Sequence, residues 1–580
     1  MILRNEYPRP QLKRDSWISL NGIWQFGYDN ETDEKKIFSS DLSTEIVVPF
    51  AYQCEESGIG DVSYHKTIWY KKEFSLSEAQ LKRRALLCFN AADYKCDVWV
   101  NGLHVVCHEG GFTPFSVDIS HTLKAKNVVA VKCEDDLSVS VPRGKQSWTN
   151  EKFACWYVPT SGIWQSVWLE FFDVDCLESY TLKTDIDSCS FGGELTTLYG
   201  VAKSCKMTVK YGDKIIKMQK FSLDGKHTRF SVSLMESDFV DESFWWTPEK
   251  PNLFYLDIEL YNGDAIFDVL HTRFGMRKIS VRDGKILLNN RPYYQRLILD
   301  QGYFAESGLT PPTCESLKND IILAKQMGYN GARKHQKFED PYFYYYADEL
   351  GFLTWCEMPS AYNFNAEEQY RLLNEWQDIV KNAKNFTSIV CYVPLNESWG
   401  VRKILSDKNQ QDFARAMYYA TKAQDETRPV SINDGWENIE QTDIVSIHDY
   451  SYDGDGFADK YRRENFSEVY LHQRKLMAFG NEYKGQPVVF SEFGGIALKK
   501  DSVGGGWGYN DGAADSKEFY DRYENLLRTV SALDFSGFCY TQLTDVQQEV
   551  NGLLDEHHRP KFDLDTIKML TRVKKNVNEI

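Results

Sequence analysis

Apolar and polar residues alternate in short runs through the first half of the chain, which is the pattern of β-strands. Within residues 1–172, examples are Trp24-Gln25-Phe26 and Val98-Trp99-Val100, the second followed by the turn Asn101-Gly102. Residues 173–276 continue in the same manner, as in 206–211. Because no long stretch of helical periodicity interrupts either part, the sequence predicts two successive β-sandwich domains, the second of them immunoglobulin-like.

The pattern changes at about residue 277, where strand-like runs begin to alternate with stretches of helical periodicity. The predicted strands are 293–298, 331–335, 353–357, 388–393, 430–432, 443–448, 488–491 and 537–541. The predicted helices are 314–327, 342–350, 367–384, 410–424 and 565–577. Such alternation is typical of a parallel sheet, and eight strands in this arrangement predict a closed (β/α)8 TIM barrel over 277–580.

Two glutamates, Glu397 and Glu492, each end a short apolar run of the predicted barrel, and glycines follow both. In a barrel of roughly 250 residues each unit takes about 31 residues, so strand ends three units apart lie about 94 residues apart. The two glutamates have this separation, which assigns them to strands four and seven. A single glutamate after an apolar run is usually a helix or turn residue. A pair facing across a barrel mouth is what glycoside hydrolysis requires.

Other polar residues follow the predicted strands, at the barrel end where functional groups are found. They are Asp300, Arg333, His335, Glu357, Asn396, Asn433, Asp434, His448, Tyr450, Gln542 and Asp545. Barrel mouths are polar in any case, and we interpret Glu357, Asp434 and Asp545 as structural. Trp507 lies on the glycine-rich loop 504–508, where it could stack on a ligand or pack against the protein.

Composition and charge exclude several classes of protein. A net charge of −17 argues against a nucleic-acid partner. The chain contains no run of 18 apolar residues, so no membrane span is expected. Its N-terminus lacks the form of a secretory signal, which predicts a cytoplasmic location. The expected partner is a small-molecule or oligosaccharide substrate, and a homo-oligomer is compatible with the sequence.

Cysteine and histidine spacing gives no sign of a metal centre. The 13 cysteines show no Cys-x-x-Cys pairing, which argues against a disulfide framework and a zinc site. His557 and His558 lack the helical spacing of a metal-binding pair. We therefore expect no metal and no cofactor.

Several short motifs together resemble glycoside hydrolase family 2, which includes β-galactosidases, β-glucuronidases and β-mannosidases. The motifs are Asn21-Gly22-Ile23-Trp24, Val100-Asn101-Gly102, Gly111-Phe112-Thr113-Pro114-Phe115, Ser161-Gly162-Ile163-Trp164-Gln165, Asn396-Glu397-Ser398 and Ser491-Glu492-Phe493-Gly494. The resemblance covers essentially the whole chain. It implies a jelly-roll sugar-binding domain over 1–172, an immunoglobulin-like domain over 173–276 and a catalytic (β/α)8 barrel over 277–580.

The resemblance also implies a role for each residue of the site. Glu397 is the expected general acid/base and Glu492 the expected nucleophile of a retaining mechanism. Asn396 is expected to bind the sugar 2-hydroxyl, Tyr450 to support Glu492, and Arg333 to keep Glu492 ionised. Asp300, His335, His448 and Trp507 are further expected substrate contacts.

The substrate is where this sequence departs from the family. The family's β-glucuronidases recognise the uronate carboxylate with an Asn-x-Lys motif late in the barrel, whereas residues 548–553 here contain no lysine. We therefore expect a retaining exo-β-glycosidase, with a neutral β-galactoside ahead of a β-hexuronide. Arg333, Lys334 and Lys337 could face an anionic sugar, but a solvated basic turn is the simpler interpretation. The competitor from another class is a non-hydrolytic carbohydrate-binding protein, against which the intact glutamate pair counts.

Overall fold

The structure, a computed structural model, describes residues 4–149, 151–235, 241–471, 473–573 and 576. Two β-sandwiches precede a barrel of parallel strands, so the predicted fold class of jelly-roll sandwich, immunoglobulin-like sandwich and (β/α)8 barrel is confirmed. The domain boundaries inferred from the sequence stay a prediction. No helix among the described residues is long and apolar enough to span a membrane.

The first domain packs a six-stranded antiparallel sheet against a four-stranded one. In sheet order, the six strands are Thr44–Val48, Gly22–Tyr28, Thr67–Ser75, Lys126–Glu134, Lys95–Val100 and Leu103–Glu109. The four are Trp17–Ser19, Val167–Phe172, Arg84–Phe89 and Phe115–Asp118, with a short pair formed by Ala92–Asp93 and Gly162–Ile163. Alternate residues such as Trp24, Phe26, Val98 and Leu169 fill the space between the sheets. One short helix, Glu78–Leu81, begins at a capping box made by Ser77 and Gln80.

The second domain is a smaller antiparallel sandwich. One sheet contains Leu177–Asp185, Ser190–Thr197 and His227–Ser233, and the other contains Lys214–Ser222, Ser204–Tyr211, Phe254–Asn262 and Ala265–Phe274. The strand His227–Ser233 buries every second residue, as the period of a half-exposed strand requires. A three-stranded sheet of Ile279–Arg282, Lys285–Leu288 and Arg291–Pro292 leads into the barrel.

Eight strands of the described residues form the barrel. They are β1 Gln295–Asp300, β2 Gly331–Lys334, β3 Leu353–Glu357, β4 Ile389–Val393 with its continuation Leu395–Asn396, β5 Asn433–Asp434, β6 Val445–His448, β7 Val488–Gly494 and β8 Gly537–Thr541. Seven of them make one parallel sheet in the order β4, β3, β2, β1, β8, β7, β6. The ring closes through β5, because Leu395–Asn396 pairs with Asn433–Asp434 and the N–H of His448 donates to Gly435 O at 3.2 Å.

The fifth strand is the one that the sequence placed least well. The prediction was 430–432, whereas the strand runs over Asn433–Asp434 and only Val430 bridges to Tyr392. The N–H of Ile432 donates to the Thr442 hydroxyl at 3.1 Å instead of to a neighbouring strand. This side-chain competition interrupts the regular ladder at that point.

Helices cover the outside of the barrel. They are α1 Cys314–Gln326, α2 Pro341–Leu350, α3 Ala366–Ala383, α4 Lys408–Gln424, α5 Phe457–Lys460, α6 Ser516–Ala532 and α7 Leu564–Thr571. Side chains of Thr313, Asp340, Asn365, Asp407, Asp515 and Asp563 cap the N-termini of all but α5. The predicted helix 565–577 lies partly outside the described residues.

One long loop of the first domain, described over residues 135–149 and 151–161, reaches the barrel; we call it the mouth loop. Its backbone N–H groups at Arg143 and Gly144 donate to Ser360 O, just beyond β3, at 2.9 and 3.0 Å. On the other side, the Tyr157 hydroxyl donates to Glu549, beyond β8, at 2.7 Å. The mouth loop is therefore fixed to the C-terminal end of the barrel from two sides.

Gly144 is the position at which the mouth loop comes closest to the barrel. Its φ is +60°, and a Cβ there would lie 2.3 Å from the carbonyl oxygen of Gln336. A side chain at this position would be strained by its backbone conformation and would also collide with backbone that cannot easily move.

We expect Gly144→Ala to lower the free energy of unfolding by about 1–3 kcal/mol more than a matched glycine substitution. Urea unfolding gives the value, and limited proteolysis reports whether the mouth loop has been displaced. The matched control is Gly263→Ala, because Gly263 has φ +59° with nothing within 4 Å of its Cβ position, so only the conformational strain is added. Equal losses in the two variants would show that the close approach at Gly144 does not hold the loop.

Candidate active site

Strands β4 and β7 carry the two glutamates to the same end of the barrel. Glu397 directly follows the continuation of β4, and its N–H donates to Asp434 O of β5 at 2.8 Å. Glu397 and Ser398 both have positive φ, 50° and 59°, so the chain turns sharply as soon as the glutamate has been placed. Non-glycine residues adopt this conformation at a cost of about 1–3 kcal/mol each, and such strain is concentrated at functional sites. Glu492 lies within β7 and is buried.

The two carboxylates converge on one point beside His448. One oxygen of Glu397, one oxygen of Glu492 and a ring nitrogen of His448 all lie within 4.8 Å of one another. His448 Nδ1 is 2.9 Å from Glu397 Oε1 and 3.4 Å from Glu492 Oε2. The Glu397 side chain retains 21% of its exposure, so the pair opens toward the barrel mouth.

Arg333 of β2 lies beneath the pair with no exposed side-chain surface. It donates to Glu492 Oε1 at 3.1 Å and to Glu357 Oε1 at 2.7 Å. Its remaining nitrogen lies 2.8 Å from Asp434 Oδ2 and donates to Asn396 Oδ1 at 3.1 Å. Burial by itself would lower the pKa of Arg333, but the surrounding carboxylates raise it well above its usual value. The guanidinium is therefore a permanent charge that joins side chains from several strands.

The carboxylates around Arg333 differ in their proton affinity. Burial raises the pKa of Glu357 to about 7, although Arg333 opposes the shift. Burial acts in the same direction on Asp434, but there Arg333 and His448 outweigh it and hold the pKa below its usual value. Both residues, which we interpreted as structural from the sequence, have their carboxylates occupied by Arg333.

His335 is held by Glu357 and points toward Glu492. Its Nδ1 is 2.9 Å from Glu357 Oε2, and its Nε2 is 3.9 Å from Glu492 Oε1. Burial lowers the pKa of His335 well below its usual value, so the ring is neutral. With Nδ1 donating to Glu357, Nε2 is the acceptor nitrogen of the ring; it lies 3.4 Å from Nε2 of the Gln336 amide and faces the glutamate pair.

His448 has the opposite charge state. Burial alone would lower its pKa, but the carboxylates of Glu492, Asp434 and Glu397 raise it to about 10. The ring is therefore an imidazolium at neutral pH, and Nδ1 donates to Glu397. Burial would raise the pKa of Glu397, yet the hydrogen bond and charge of His448 lower it below its usual value.

The same three side chains form the group of potential metal ligands found among the described residues. Metal binding requires a neutral imidazole, so an ion would have to displace the proton that the neighbouring carboxylates favour on His448. In this structure His448 donates to Glu397 and lies 3.4 Å from Glu492.

Aromatic side chains make the walls of the site. The Tyr450 hydroxyl donates to Glu492 Oε2 at 2.6 Å, and its ring stacks on Tyr509 at 3.4 Å between centroids. Trp399 Nε1 donates to Glu397 Oε2 at 3.4 Å. The Trp399 ring meets Trp156 of the mouth loop edge to face at 5.2 Å, so the first domain contributes directly to the wall.

Asn396 presents an unused donor. Its Oδ1 accepts from Arg333 at 3.1 Å, which fixes the orientation of the amide. Its Nδ2 is buried and has no hydrogen-bond partner among the described residues. Buried donors of this kind are rare in native proteins and indicate a group that bonds a ligand.

Asp300 is a correction to the sequence prediction of a substrate contact. Its carboxylate accepts from Lys334 Nζ at 2.9 Å and from the N–H of Gly302 at 2.9 Å. Successive residues of β2 point to opposite faces, so Arg333 faces the barrel axis while Lys334 faces Phe343 of α2. The Asp300 carboxylate therefore lies outside the barrel mouth, in a buried cluster of ion pairs that includes Lys334.

The basic turn after β2 is also different from its sequence interpretation. Lys334 and Lys337 both pair with Glu339 at 2.8 Å, and all three residues are buried. They are neither a solvated turn nor available to an anionic sugar.

Trp507 contacts Tyr509 and lies farther than Tyr509 from the glutamate pair. Its ring meets Tyr509 at 5.4 Å, and its Nε1 donates to Ala154 O of the mouth loop at 2.9 Å. Contact between Trp507 and a substrate stays a prediction.

Sequence reasoning missed four residues of the site. Trp399 and Tyr509 line it, and Glu549, which follows β8, accepts from Tyr157 at 2.7 Å. Lys145 of the mouth loop is near enough to act electrostatically on Glu397 and Glu492. The Glu-Val-Asn stretch at 549–551 was a usable signal, whereas nothing near Lys145 in the sequence links it to the barrel.

The closed barrel and its carboxylate pair define a class, the barrel hydrolases that act on carbohydrates. Models of glycosyl hydrolases family 2 match three successive segments: the sugar binding domain at 17–170, a second family 2 segment at 177–277 and the TIM barrel domain at 279–573. The chain belongs to glycoside hydrolase family 2, as its motifs indicated.

Similar proteins include enzymes named for different sugars. A β-galactosidase of Thermoanaerobacter pseudethanolicus is 25% identical over 465 residues, which are 75% of this chain and 57% of that protein. The chain spans about half the length of the first curated relatives that it matches.

Solved structures match along the whole chain. The GH2 β-galacturonidase from Eisenbergiella tayi bound to galacturonate has a TM-score of 0.76 and 19% identity, with 99% of this chain and 100% of that chain covered. The Bifidobacterium dentium β-glucuronidase complexed with coumarin-3-O-glucuronide has a TM-score of 0.79 and 18% identity, with 98% of each chain covered. At these identities the likeness is one of fold.

We expect Arg333→Met to lower the free energy of unfolding by about 3–5 kcal/mol, because it leaves buried carboxylates without their counter-charge. Urea unfolding followed by tryptophan fluorescence measures the loss. Arg229→Met is the matched control: the side chain of Arg229 is 92% exposed, so its loss should change stability by less than about 0.5 kcal/mol. A change below about 1 kcal/mol in Arg333→Met would contradict the central place given to this residue.

Proposed function

We propose that this protein is a retaining exo-β-glycosidase that releases terminal β-linked sugars by double displacement. The observation that carries the proposal is the separation of 4.8 Å or less between facing oxygens of Glu397 and Glu492. Retaining enzymes hold their carboxyl groups about 5–5.5 Å apart, and inverting enzymes about 6.5–9.5 Å apart to admit a water molecule. The pair therefore suits direct attack by one carboxylate.

In the first step, Glu492 attacks the anomeric carbon while the bond to the leaving oxygen breaks. The surroundings of Glu492 support its role as nucleophile, since Arg333 and Tyr450 each donate to one of its oxygens and fix the orientation of the carboxylate. Glu397 gives its proton to the departing oxygen, and because His448 lowers the pKa of Glu397 in the ligand-free site, this step is favoured at acidic pH. Glu397 is the more exposed of the two and faces the opening, where a leaving group would stand.

In the second step, water attacks the same carbon, the bond to Glu492 breaks, and Glu397 accepts the proton. Once Glu492 is an ester its negative charge is gone, so the pKa of Glu397 falls and the residue becomes the base that this step needs. His448 supports the exchange, because its imidazolium stabilises the ionised form of Glu397.

Groups around the pair provide contacts for sugar hydroxyls. The unpartnered Nδ2 of Asn396, oriented by Arg333, is suited to the 2-hydroxyl, a contact that strengthens in the transition state. The Nε2 of His335, which lies 3.4 Å from the Gln336 amide, can accept from a hydroxyl that replaces this contact. The mouth loop closes one side of the barrel, which favours a pocket for a terminal sugar over an open groove.

Two sugar classes are candidates. A neutral β-galactoside is the expectation from the sequence, because residues 548–553 lack a lysine. A β-hexuronide is favoured by the ammonium of Lys145 beside the pair. A binding protein without activity would gain nothing from burying Glu492 and orienting both its oxygens, so the geometry argues against that competitor.

We expect Glu492→Gln to lower kcat on nitrophenyl β-glycosides by at least about 10⁴-fold, because an amide cannot form the glycosyl ester. Proton NMR of the wild-type reaction should show the β anomer of the free sugar as the first product. Glu375→Gln is the matched control: Glu375 is also buried, and burial raises its pKa to about 8, so it is already mostly neutral. Unchanged turnover in Glu492→Gln, or the α anomer as first product, would refute the assignment.

The pH dependence tests the role of His448. The hydrogen bond and charge of His448 lower the pKa of Glu397, so His448→Gln should raise that pKa and move the alkaline limb of the kcat/KM profile to higher pH. His227→Gln, at a histidine whose side chain is 61% exposed, should leave the profile in place. A limb that stays or moves to lower pH in His448→Gln would show that another group sets it.

A further inference from the structure

Lys145 is a cation that the first domain brings to the mouth of the barrel. Its Nζ lies 6.0 Å from the ring centroids of both Trp156 and Tyr157, and the side chain is half-buried. The group on which its charge acts most strongly is the Cys155 thiol, followed by the carboxylates of Glu549, Glu397 and Glu492. Trp156, beside the ammonium, meets Trp399 at 5.2 Å, and Trp399 donates to Glu397, so Lys145 lies behind the aromatic wall of the site.

No carboxylate of the described residues lies within ion-pair distance of the Lys145 ammonium. Other lysines near this end of the barrel are each paired, Lys334 with Asp300 at 2.9 Å and Lys337 with Glu339 at 2.8 Å. Lys561 pairs with Asp545 at 3.0 Å. Lys145 thus differs from these lysines in having no carboxylate partner among the described residues.

The backbone that carries Lys145 is firmly placed. On one side of it, Arg143 pairs with Asp135 at 2.8 Å, with both side chains buried, and Gly144 packs against Gln336 O. Farther along the loop, Tyr157 is bonded to Glu549. A charged group held by rigid neighbours can select a ligand with little loss of conformational entropy.

The nearest carboxylates are already engaged with other partners. Glu549 accepts from Tyr157 at 2.7 Å and from Asn551 at 3.3 Å, and Glu397 accepts from His448 at 2.9 Å. An ammonium that is partly desolvated and has a thiol, Cys155, but no carboxylate of the described residues in contact gains most from an anion that enters with the ligand.

We propose that Lys145 binds a carboxylate carried by the substrate, so that the enzyme prefers acidic β-glycosides. This inference rests on the proposed function and names its substrate class. The carboxylate could stand on the sugar ring, as in a β-hexuronide, or on the aglycone, and both would place the same chemistry against Nζ. The positive charge that binds the carboxylate then comes from the first domain, because residues 548–553 of the barrel contain no lysine.

The test compares the wild-type protein and Lys145→Met on four substrates. They are nitrophenyl β-galactoside, nitrophenyl β-galacturonide, nitrophenyl β-glucuronide and carboxyphenyl β-galactoside. We expect kcat/KM on the acidic substrates that the wild type prefers to fall about 100-fold in Lys145→Met, mainly through KM, because a charge-assisted hydrogen bond is lost. The loss on the neutral galactoside should be at least about tenfold smaller than the loss on the acidic substrates, and Lys145→Arg should restore most of the preference.

Lys82→Met removes the same charge from an exposed position of the first domain and is the matched control. A loss confined to the uronides places the carboxylate on the sugar, and a loss confined to carboxyphenyl galactoside places it on the aglycone; either supports the proposal. An equal loss on neutral and acidic substrates would show that Lys145 is a counter-ion for the glutamates and would overturn it.

The test also separates this inference from the proposed function. A wild-type protein that hydrolyses the neutral galactoside but prefers no acidic substrate overturns the inference and leaves the glycosidase assignment standing. A wild-type protein that releases no product from any nitrophenyl glycoside overturns the glycosidase assignment itself.

Discussion

The interaction on which the site depends is the contact of one buried guanidinium with side chains from different strands. Arg333 joins Glu357 of β3, Asn396 of β4, Asp434 of β5 and Glu492 of β7, and no part of its side chain is exposed. Carboxylates so close together would repel one another and take up protons. The planar fork of Arg333 donates hydrogen bonds to Glu357, Asn396 and Glu492, and its charge also pairs with Asp434. The position of Glu492 therefore follows from a charge balance that only a closed barrel can assemble.

The alternation of residues along the barrel strands also determines which charged side chains contact Arg333. Arg333 and Lys334 are neighbours in β2, but alternate residues of a strand point to opposite faces, so one enters the barrel and the other faces the helices. This rule explains why Asp300, which ends β1, pairs with Lys334 and takes no part in the site. A second cluster of ion pairs lies outside the group of side chains around Arg333. It consists of Lys334, Lys337, Asp300 and Glu339.

Much of the fold and part of the site could be predicted from the sequence. The spacing of Glu397 and Glu492 identified the strands that carry them, because the barrel repeat converts distance along the chain into position around a ring. The direction of Asp300 could not be predicted, since it depends on which of two neighbouring residues faces inward. Strand β5 was misplaced because the side chain of Thr442 replaces a ladder bond there. The position of Lys145 at the site could not be predicted, because it depends on a loop of one domain folding over another. The local sequence carries no signal for this contact.

The barrel and the mouth loop contribute different groups to the site, and the number of partners that each group has explains the difference. The groups beneath the glutamates are buried and bonded to several partners each, so any change there disturbs the charge balance of the whole barrel mouth. The mouth loop contacts this assembly through few side chains, among them Trp156 and Tyr157, and its lysine has no ion-pair partner to lose among the described residues. A group that selects the substrate is therefore better placed on the loop than in the barrel. There it can differ between related proteins while the geometry of Glu397 and Glu492 stays fixed.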